Sequence, residues 1–256
     1  MKRIIHSVIL GLCMVVGILG VVFGTYSIVK AQEDYAVSEA AYENISTVAS
    51  VERVEKEVAI TDATSEETEK EVVEKYFDID FAALKEVNED IIGWIIIEDT
   101  VVNYPILQSE DNADYIRTTP EGNWATAGSI FLDCSCTEDS INYIIYGHNM
   151  KDGSMFGVLK EYRDEAFYNE HPYVYILTEE EQVRYQIVSV HETRFDSENY
   201  YPSFTEKGYE EFLMNEKEIS LYPTFARIDT SKKVVTLSTC INGSSTKRLV
   251  ITLQEG

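Results

Sequence analysis

A thiol and a guanidinium stand on either side of one short turn in this chain. Cys240 closes the run Val234-Val235-Thr236-Leu237-Ser238-Thr239-Cys240, and Arg248 opens Arg248-Leu249-Val250-Ile251-Thr252-Leu253 eight residues later. A cysteine thiolate is a strong nucleophile, and a nearby fixed positive charge both favours the thiolate and stabilises the oxyanion that its attack creates. His148, in Tyr146-Gly147-His148-Asn149-Met150, supplies a proton carrier. Together the three would perform acyl transfer through a thioester. Taken singly, each has a plainer reading: a small buried hydrophobe, a surface charge with a snorkelling stem, and an exposed loop histidine. His6 beside the first apolar run, His171 before a proline and His191 at a strand end are no better placed.

Strand alternation decides how the pair is presented. Side chains alternate between faces, so Val235 and Leu237 take one face and Thr236, Ser238 and Cys240 the other. On the returning segment, Leu249, Ile251 and Leu253 share a face and Arg248 lies opposite. If both apolar sets face the core, the thiol and the guanidinium fall together on the outer face. Asn242-Gly243-Ser244-Ser245 is the turn signal that makes the two strands neighbours.

The remaining strand signals are Ile91–Ile97, Val101–Ile106, Ser129–Leu132, Asn142–Tyr146, Tyr173–Leu177 and Val183–His191, with the last two segments spanning Lys233–Cys240 and Arg248–Leu253. Asp80–Asn88, with Asp78 or Asp80 as cap, reads as a short helix, as do Met155–Tyr162 and Thr205–Asn215, the latter with Tyr209, Phe212 and Leu213 at helical spacing. Many short strands and few helices predict a mainly β fold, a closed or nearly closed barrel and not a βαβ sheet.

The N-terminal part sets the compartment. Ile4–Val29 is an almost unbroken apolar run of about 26 residues, beyond the roughly 20 that span a bilayer as a helix. Lys2 and Arg3 precede it and Glu33, Asp34 and Glu39 follow, so the positive-inside bias predicts a cytoplasmic N-terminus and an external domain. A cleaved signal peptide would have a shorter apolar region and a small-residue cleavage site, which does not follow this run. Residues 1–31 are therefore expected to be a cytoplasmic tip and single transmembrane helix. Residues 32–76, rich in Glu, Ala, Val, Thr and Ser, are expected to be a solvated acidic stalk, partly helical or disordered, with Val51, Val54 and Val58 on one helical stripe and Glu69–Lys75 a second helical candidate. Residues 77–256 would form the catalytic domain. The formal net charge of −24 argues against nucleic acid as a partner. Four cysteines do not make a disulfide framework. Cys134 and Cys136 would share one face of a strand; a bridge between them would strain its geometry, and no further ligands complete a metal site.

The combination of YGHNM, Met155-Phe156, TLSTC and the downstream Arg248 resembles sortase transpeptidases, specifically class B. Asp90-Ile91-Ile92-Gly93-Trp94-Ile95 and Tyr104-Pro105-Ile106-Leu107-Gln108 look like that class's early strands. The order His, Cys, Arg differs from papain-like peptidases, where the cysteine comes first. The resemblance implies a sortase β-barrel over about residues 77–256 and no cofactor. Cys240 would attack the carbonyl of a Thr in a C-terminal sorting motif of a secreted protein, His148 would exchange the proton with the leaving and incoming amines, and Arg248 would hold the oxyanion. The acceptor would be an amine of the peptidoglycan precursor. Ser238, Thr239, Asn112 and Ile116 would line the substrate groove, with Tyr200 and Tyr201 as further candidates on an insertion, Ser197–Tyr222, that walls one side. Where class B members often carry an acidic residue two positions after the cysteine, this chain has Asn242, so no carboxylate is assigned to His148. Alternatives are a pilin-polymerising sortase with a lysine acceptor, a peptidase that only hydrolyses, and a non-catalytic wall-associated module.

Overall fold

The computed structural model describes residues 2–54 and 76–256. It opens with one helix, α1 (Lys2–Ala49). The helix is long and apolar enough to cross a membrane, and its apolar window is wholly uncovered by the rest of the chain. It does not stop where the polar residues begin. Ala41, Ile45 and Ala49, four residues apart and so on one face of the helix, are 3%, 0% and 0% exposed. Ile45 and Ala49 pack with Phe77, Phe81 and Leu84. The stretch from Gln32 to Ala49, expected as the start of a solvated stalk, is thus helical throughout and ends docked against the barrel. The expected helical stripe from Val51 is also replaced. Glu52–Arg53 (β1) pairs antiparallel with Phe77–Asp78 (β2), while Val58 and Glu69–Lys75 lie outside the described residues.

Asp80 caps α2 (Phe81–Val87), its carboxylate accepting from the Ala83 N–H at 2.9 Å. Eight strands follow: β3 (Ile91–Ile96), β4 (Asn103–Leu107), β5 (Ile130–Leu132), β6 (Asn142–Tyr146), β7 (Tyr173–Leu177), β8 (Gln182–Arg194), β9 (Val234–Cys240) and β10 (Lys247–Glu255). They close into a barrel in the order β10-β8-β7-β3-β4-β5-β6-β9. Closure removes the free strand edges. The pairs β4–β5 and β6–β9 are parallel and the other six antiparallel. The segment Met155–Tyr162 overlaps a 3-10 helix, Gly157–Arg163, followed by a short helix, α3 (Glu165–Glu170), that the pattern did not signal.

The expected alternation holds. Val235, Leu237, Leu249, Ile251 and Leu253 all point into the barrel core. Their polar counterparts are not on an open surface, however. The connection from β8 to β9 carries α4 (Glu206–Ile219), whose buried residues are Tyr209, Phe212, Leu213 and Glu216, and it lies over the outer face of β8, β9 and β10. There a polar row crosses three strands, with Ser189 opposite Thr252 and Thr252 opposite Thr236. Each member is buried. Glu216, at the apolar spacing of α4 and only 1% exposed, accepts from the hydroxyls of Ser189 and Thr252 and from the Asn199 amide, with His191 Nδ1 at 3.7 Å. Buried polar groups are tolerated when they are paired, and this carboxylate pairs the row with the insertion.

Glu216→Ala should therefore lower stability by roughly 2–4 kcal/mol in urea unfolding followed by tryptophan fluorescence, because several buried donors lose their acceptor at once. Glu216→Gln, which keeps one acceptor oxygen, should lose less. A Glu216→Ala protein as stable as the parent would show that the cluster does not hold the insertion.

Candidate active site

The site is built on β9 and its two neighbours. β6 runs parallel to β9 with Tyr146 opposite Ser238, and the Gly147 N–H extends the ladder by donating to the Ser238 carbonyl at 3.2 Å. Chain leaving β6 therefore emerges at the same end, and at the same level, as Cys240. On the other side β10 is antiparallel, with Arg248 directly opposite Cys240. The thiol sits between the strand that delivers His148 and the strand that delivers Arg248. Gly147 is required by close approach: a Cβ there would lie 2.5 Å from Ile130 Cδ1 and 2.6 Å from Phe156 Cγ.

The loop after Gly147 is folded back on itself. The Phe156 N–H donates to the His148 carbonyl at 3.0 Å, Asn149 Nδ2 donates to the Cys240 carbonyl at 2.8 Å, and Thr239 Oγ1 donates to the Gly147 carbonyl at 2.8 Å. These bonds tie the histidine loop to the nucleophile strand. The ring of His148 is held by a backbone group and not by a carboxylate: Nε2–H donates to the Ile116 carbonyl at 2.7 Å. A carbonyl can only accept, so the hydrogen is on Nε2, and in the neutral ring Nδ1 is left free as a base. Burial holds the His148 pKa below its ordinary value; the Ile116 bond opposes this and the nearby Arg117 charge adds to it.

Cys240 is exposed at the mouth. The half-buried Arg248 uses Nη1 to donate to the carbonyls of Ser245 at 3.2 Å and Lys247 at 3.0 Å, which fixes the guanidinium over its own turn and leaves its other donors for a ligand. The cleft in front of these three has a volume of about 280 Å³ and is also lined by Asn112, Ile116, Phe131, Tyr146, Phe195, Tyr200, Ser238 and Thr239. Five of the six expected groove residues are thus brought together. Tyr201 is not: it is 51% exposed and its ring packs toward Phe204 at 6.2 Å. Tyr200, its neighbour, turns inward, shares a 2.8 Å hydrogen bond with Ser238 Oγ and stacks on Tyr146 at 6.2 Å and 5°.

Asp133 organises the opposite wall, and no motif pointed to it. Its carboxylate accepts from Asn112 Nδ2 at 2.9 Å and Tyr146 Oη at 2.8 Å. Burial alone would raise its pKa, but the bonds from Ser135, Tyr146 and Asn112 outweigh that and hold it below the usual carboxylate value. The two nearby cysteines are not on a strand. They follow β5 in a turn, Cys134 exposed and Cys136 buried, and burial pushes the Cys136 thiol up to about 11.

This arrangement has close relatives. A family profile described as "Sortase domain" matches residues 95–255. The chain belongs to the sortase family. Its enzymes are cysteine transpeptidases. The sequence is 39% identical to Sortase B of Listeria monocytogenes over 162 residues, 61% of this chain and 65% of that protein. It is 33% identical to Sortase B of Staphylococcus aureus over 177 residues, 67% of this chain and 72% of that protein. Among solved structures, the sortase B of B. anthracis in complex with AAEK2 superposes with a TM-score of 0.70 at 32% identity, covering 86% of this chain and 96% of that one. The Staphylococcus aureus sortase B–substrate complex superposes with a TM-score of 0.64 at 31% identity, over 68% of this chain and 83% of that one. The closed barrel is that of the sortase B structures.

The depressed pKa of His148 has a thermodynamic consequence. Between about pH 6.5, the ordinary value for an unfolded chain, and the lower folded value, the unfolded chain binds a proton that the folded sortase does not. Stability should therefore fall as the pH drops through that window. His148→Gln should lose less stability over the same interval, read from urea midpoints at a series of pH values. Equal slopes for the two proteins would show that folding does not depress this histidine.

Proposed function

We propose that this sortase cleaves a C-terminal sorting motif of secreted proteins after Thr and transfers the acyl group to an amine of the cell-wall peptidoglycan precursor. The observation that carries the reading is the register of β9, with Cys240 opposite Arg248 of β10 on one side and the end of β6, two residues before His148, on the other. Nδ1 of His148, left free by the Ile116 bond, takes the thiol proton. The Cys240 sulfur forms a bond to the Thr carbonyl carbon, and the resulting oxyanion is held by Arg248. The C–N bond then breaks as His148 gives its proton to the leaving amine, and a thioester remains. An incoming amine attacks the thioester, its proton passes through His148, and the Cys240 thiol is restored with a new amide as product. Ile116, Phe131 and Phe195 give the cleft apolar walls beside the exposed thiol. A cleft of this kind, mostly apolar with a few convergent polar groups, suits an extended peptide.

The substrate and the acceptor are read by analogy with the family. For location, Lys2 and Arg3 before the apolar part of α1 support a cytoplasmic N-terminus and a catalytic domain on the external face of a single-pass membrane protein.

Incubation of the full chain with a library of candidate sorting peptides should yield an acyl adduct on Cys240, detected by mass spectrometry, and addition of a peptidoglycan-type amine should convert it to a transfer product. Cys240→Ala should abolish both, and Arg248→Ala should lower kcat by roughly 10²–10³. No adduct at Cys240 with any peptide, or free acid as the sole product at high amine concentration, would overturn the reading.

A further inference from the structure

The helix that enters the membrane also reaches the groups that hold His148. The Tyr42 hydroxyl donates to the Gly128 carbonyl at 2.6 Å. Gly128 has φ +56°, a conformation that favours glycine, and it lies flat against the carbonyl that holds the histidine: a Cβ added there would fall 2.2 Å from Ile116 O. Its neighbour Ser129 ties the two segments together. The Ser129 N–H donates to the Tyr115 carbonyl at 2.9 Å, and Ser129 Oγ donates to the Thr118 carbonyl at 2.7 Å. The segment carrying the Ile116 carbonyl is therefore stapled to the backbone that Tyr42 grips. A second route starts from the Tyr42 ring, which packs edge-on against Tyr104 at 5.2 Å. The Tyr104 hydroxyl accepts from the Met155 N–H at 3.1 Å, and Met155 bridges to Asn149, next to His148. Further along the helix, the Asp34 carboxylate accepts from Thr126 Oγ1, and a cavity of about 480 Å³ has Asp34, Tyr35 and Ser38 on one wall and His148 and Asn149 on another.

We propose that α1 is part of the catalytic apparatus and not only a tether: Tyr42, acting through Gly128 and the Ile116 carbonyl, is a positioning residue for the His148 ring. The proposal rests on the reading of His148 as the proton carrier. The physical argument is lack of slack. Along the route through Gly128, the phenol bonds directly to a backbone carbonyl, that residue's backbone lies against the Ile116 carbonyl, and the carbonyl bonds directly to the imidazole, so no long side chain stands between them to absorb a displacement. Removing the hydroxyl leaves the Gly128 carbonyl without the donor it has here, and a buried unpaired carbonyl moves its peptide plane to find another. The Ile116 oxygen, in contact with Gly128, moves with it. Acyl transfer is sensitive to such shifts, since near-attack geometry is set within a fraction of an ångström.

The test uses the full chain reconstituted in phospholipid vesicles, with peptide-to-amine transfer as the assay and Tyr42→Phe as the variant, which keeps the ring contact with Tyr104. Tyr42→Phe should lower kcat by roughly 5- to 50-fold with KM within about twofold, because proton transfer and not peptide binding is disturbed. The His148 limb of its pH profile should move to lower pH, because the Ile116 bond that favours the protonated ring is loosened. Asn44→Ala removes another contact of α1 with the domain, the bond to Glu121, off the route to Gly128, and should leave kcat and the pH profile as in the parent. The proposal is overturned if Tyr42→Phe retains parental kcat and pH profile, if its loss is in KM alone, or if Asn44→Ala produces the same loss. His148→Ala, assayed beside them, separates the two readings. If it retains transfer activity, the proton-carrier assignment fails; if it is inactive while Tyr42→Phe is unaffected, only the role of α1 fails.

Discussion

The parallel pairing of β6 with β9 is the constraint on which the rest of this molecule depends. Two parallel neighbours end at the same edge of the sheet, so the residue after β6 and the last residue of β9 are level without any further device. An antiparallel pairing of the same strands would send His148 and Cys240 to opposite ends of the barrel. Parallel neighbours need a long crossover, and the chain between β6 and β9 supplies it with β7, β8, three short helical segments and α4. The crossover then serves as the wall of the cleft, through Tyr200, and as the cover of the outer sheet face, through α4.

That outer face divides into two regions of opposite character. Near the mouth, Cys240 and Arg248 meet solvent and have spare bonding capacity. One turn of the pleat deeper, Ser238 is capped by Tyr200, and below it the row Thr236, Thr252 and Ser189 is sealed by Asn142 and Glu216. The gradient runs from reactive to fully satisfied along a single strand. Each step is set by which partner the insertion brings, and this explains why a polar face can be buried without a large penalty.

How far the sequence could be read follows the range of the interactions. Local signals were sound: alternation in β9 and β10 placed Cys240 and Arg248 on one face, the Asn242-Gly243 turn joined them, and Asp80 capped α2. Boundaries of β6 and β7 coincided with their turn residues. The β6–β9 adjacency left no local trace, because no turn connects the two strands; only the family likeness of YGHNM and TLSTC brought them together. Docking of α1 was missed for another reason. Its contact face is Ala41, Ile45 and Ala49, too small and too sparse to stand out among the surrounding Glu, Ser and Tyr. Tyr200 and Tyr201 were indistinguishable by type; Tyr200 closes a short 3-10 helix, Glu198–Tyr200, and points inward, while Tyr201, extended just after it, points out. The group that orients His148 was sought among carboxylates near Cys240, whereas it is the main-chain oxygen of Ile116, which no side-chain pattern could reveal.

The order of strands along the chain has a consequence for biogenesis. β9 and β10, which carry the nucleophile and the oxyanion donor, come after every other barrel strand in the sequence, and β9 inserts between β6 and β10 to close the wall. A chain that is synthesised from its N-terminus can dock α1 and assemble β3 to β8 before either residue exists. Until β9 has been made the chain lacks the thiol altogether, so a molecule broken off before that strand can present its histidine loop but no nucleophile.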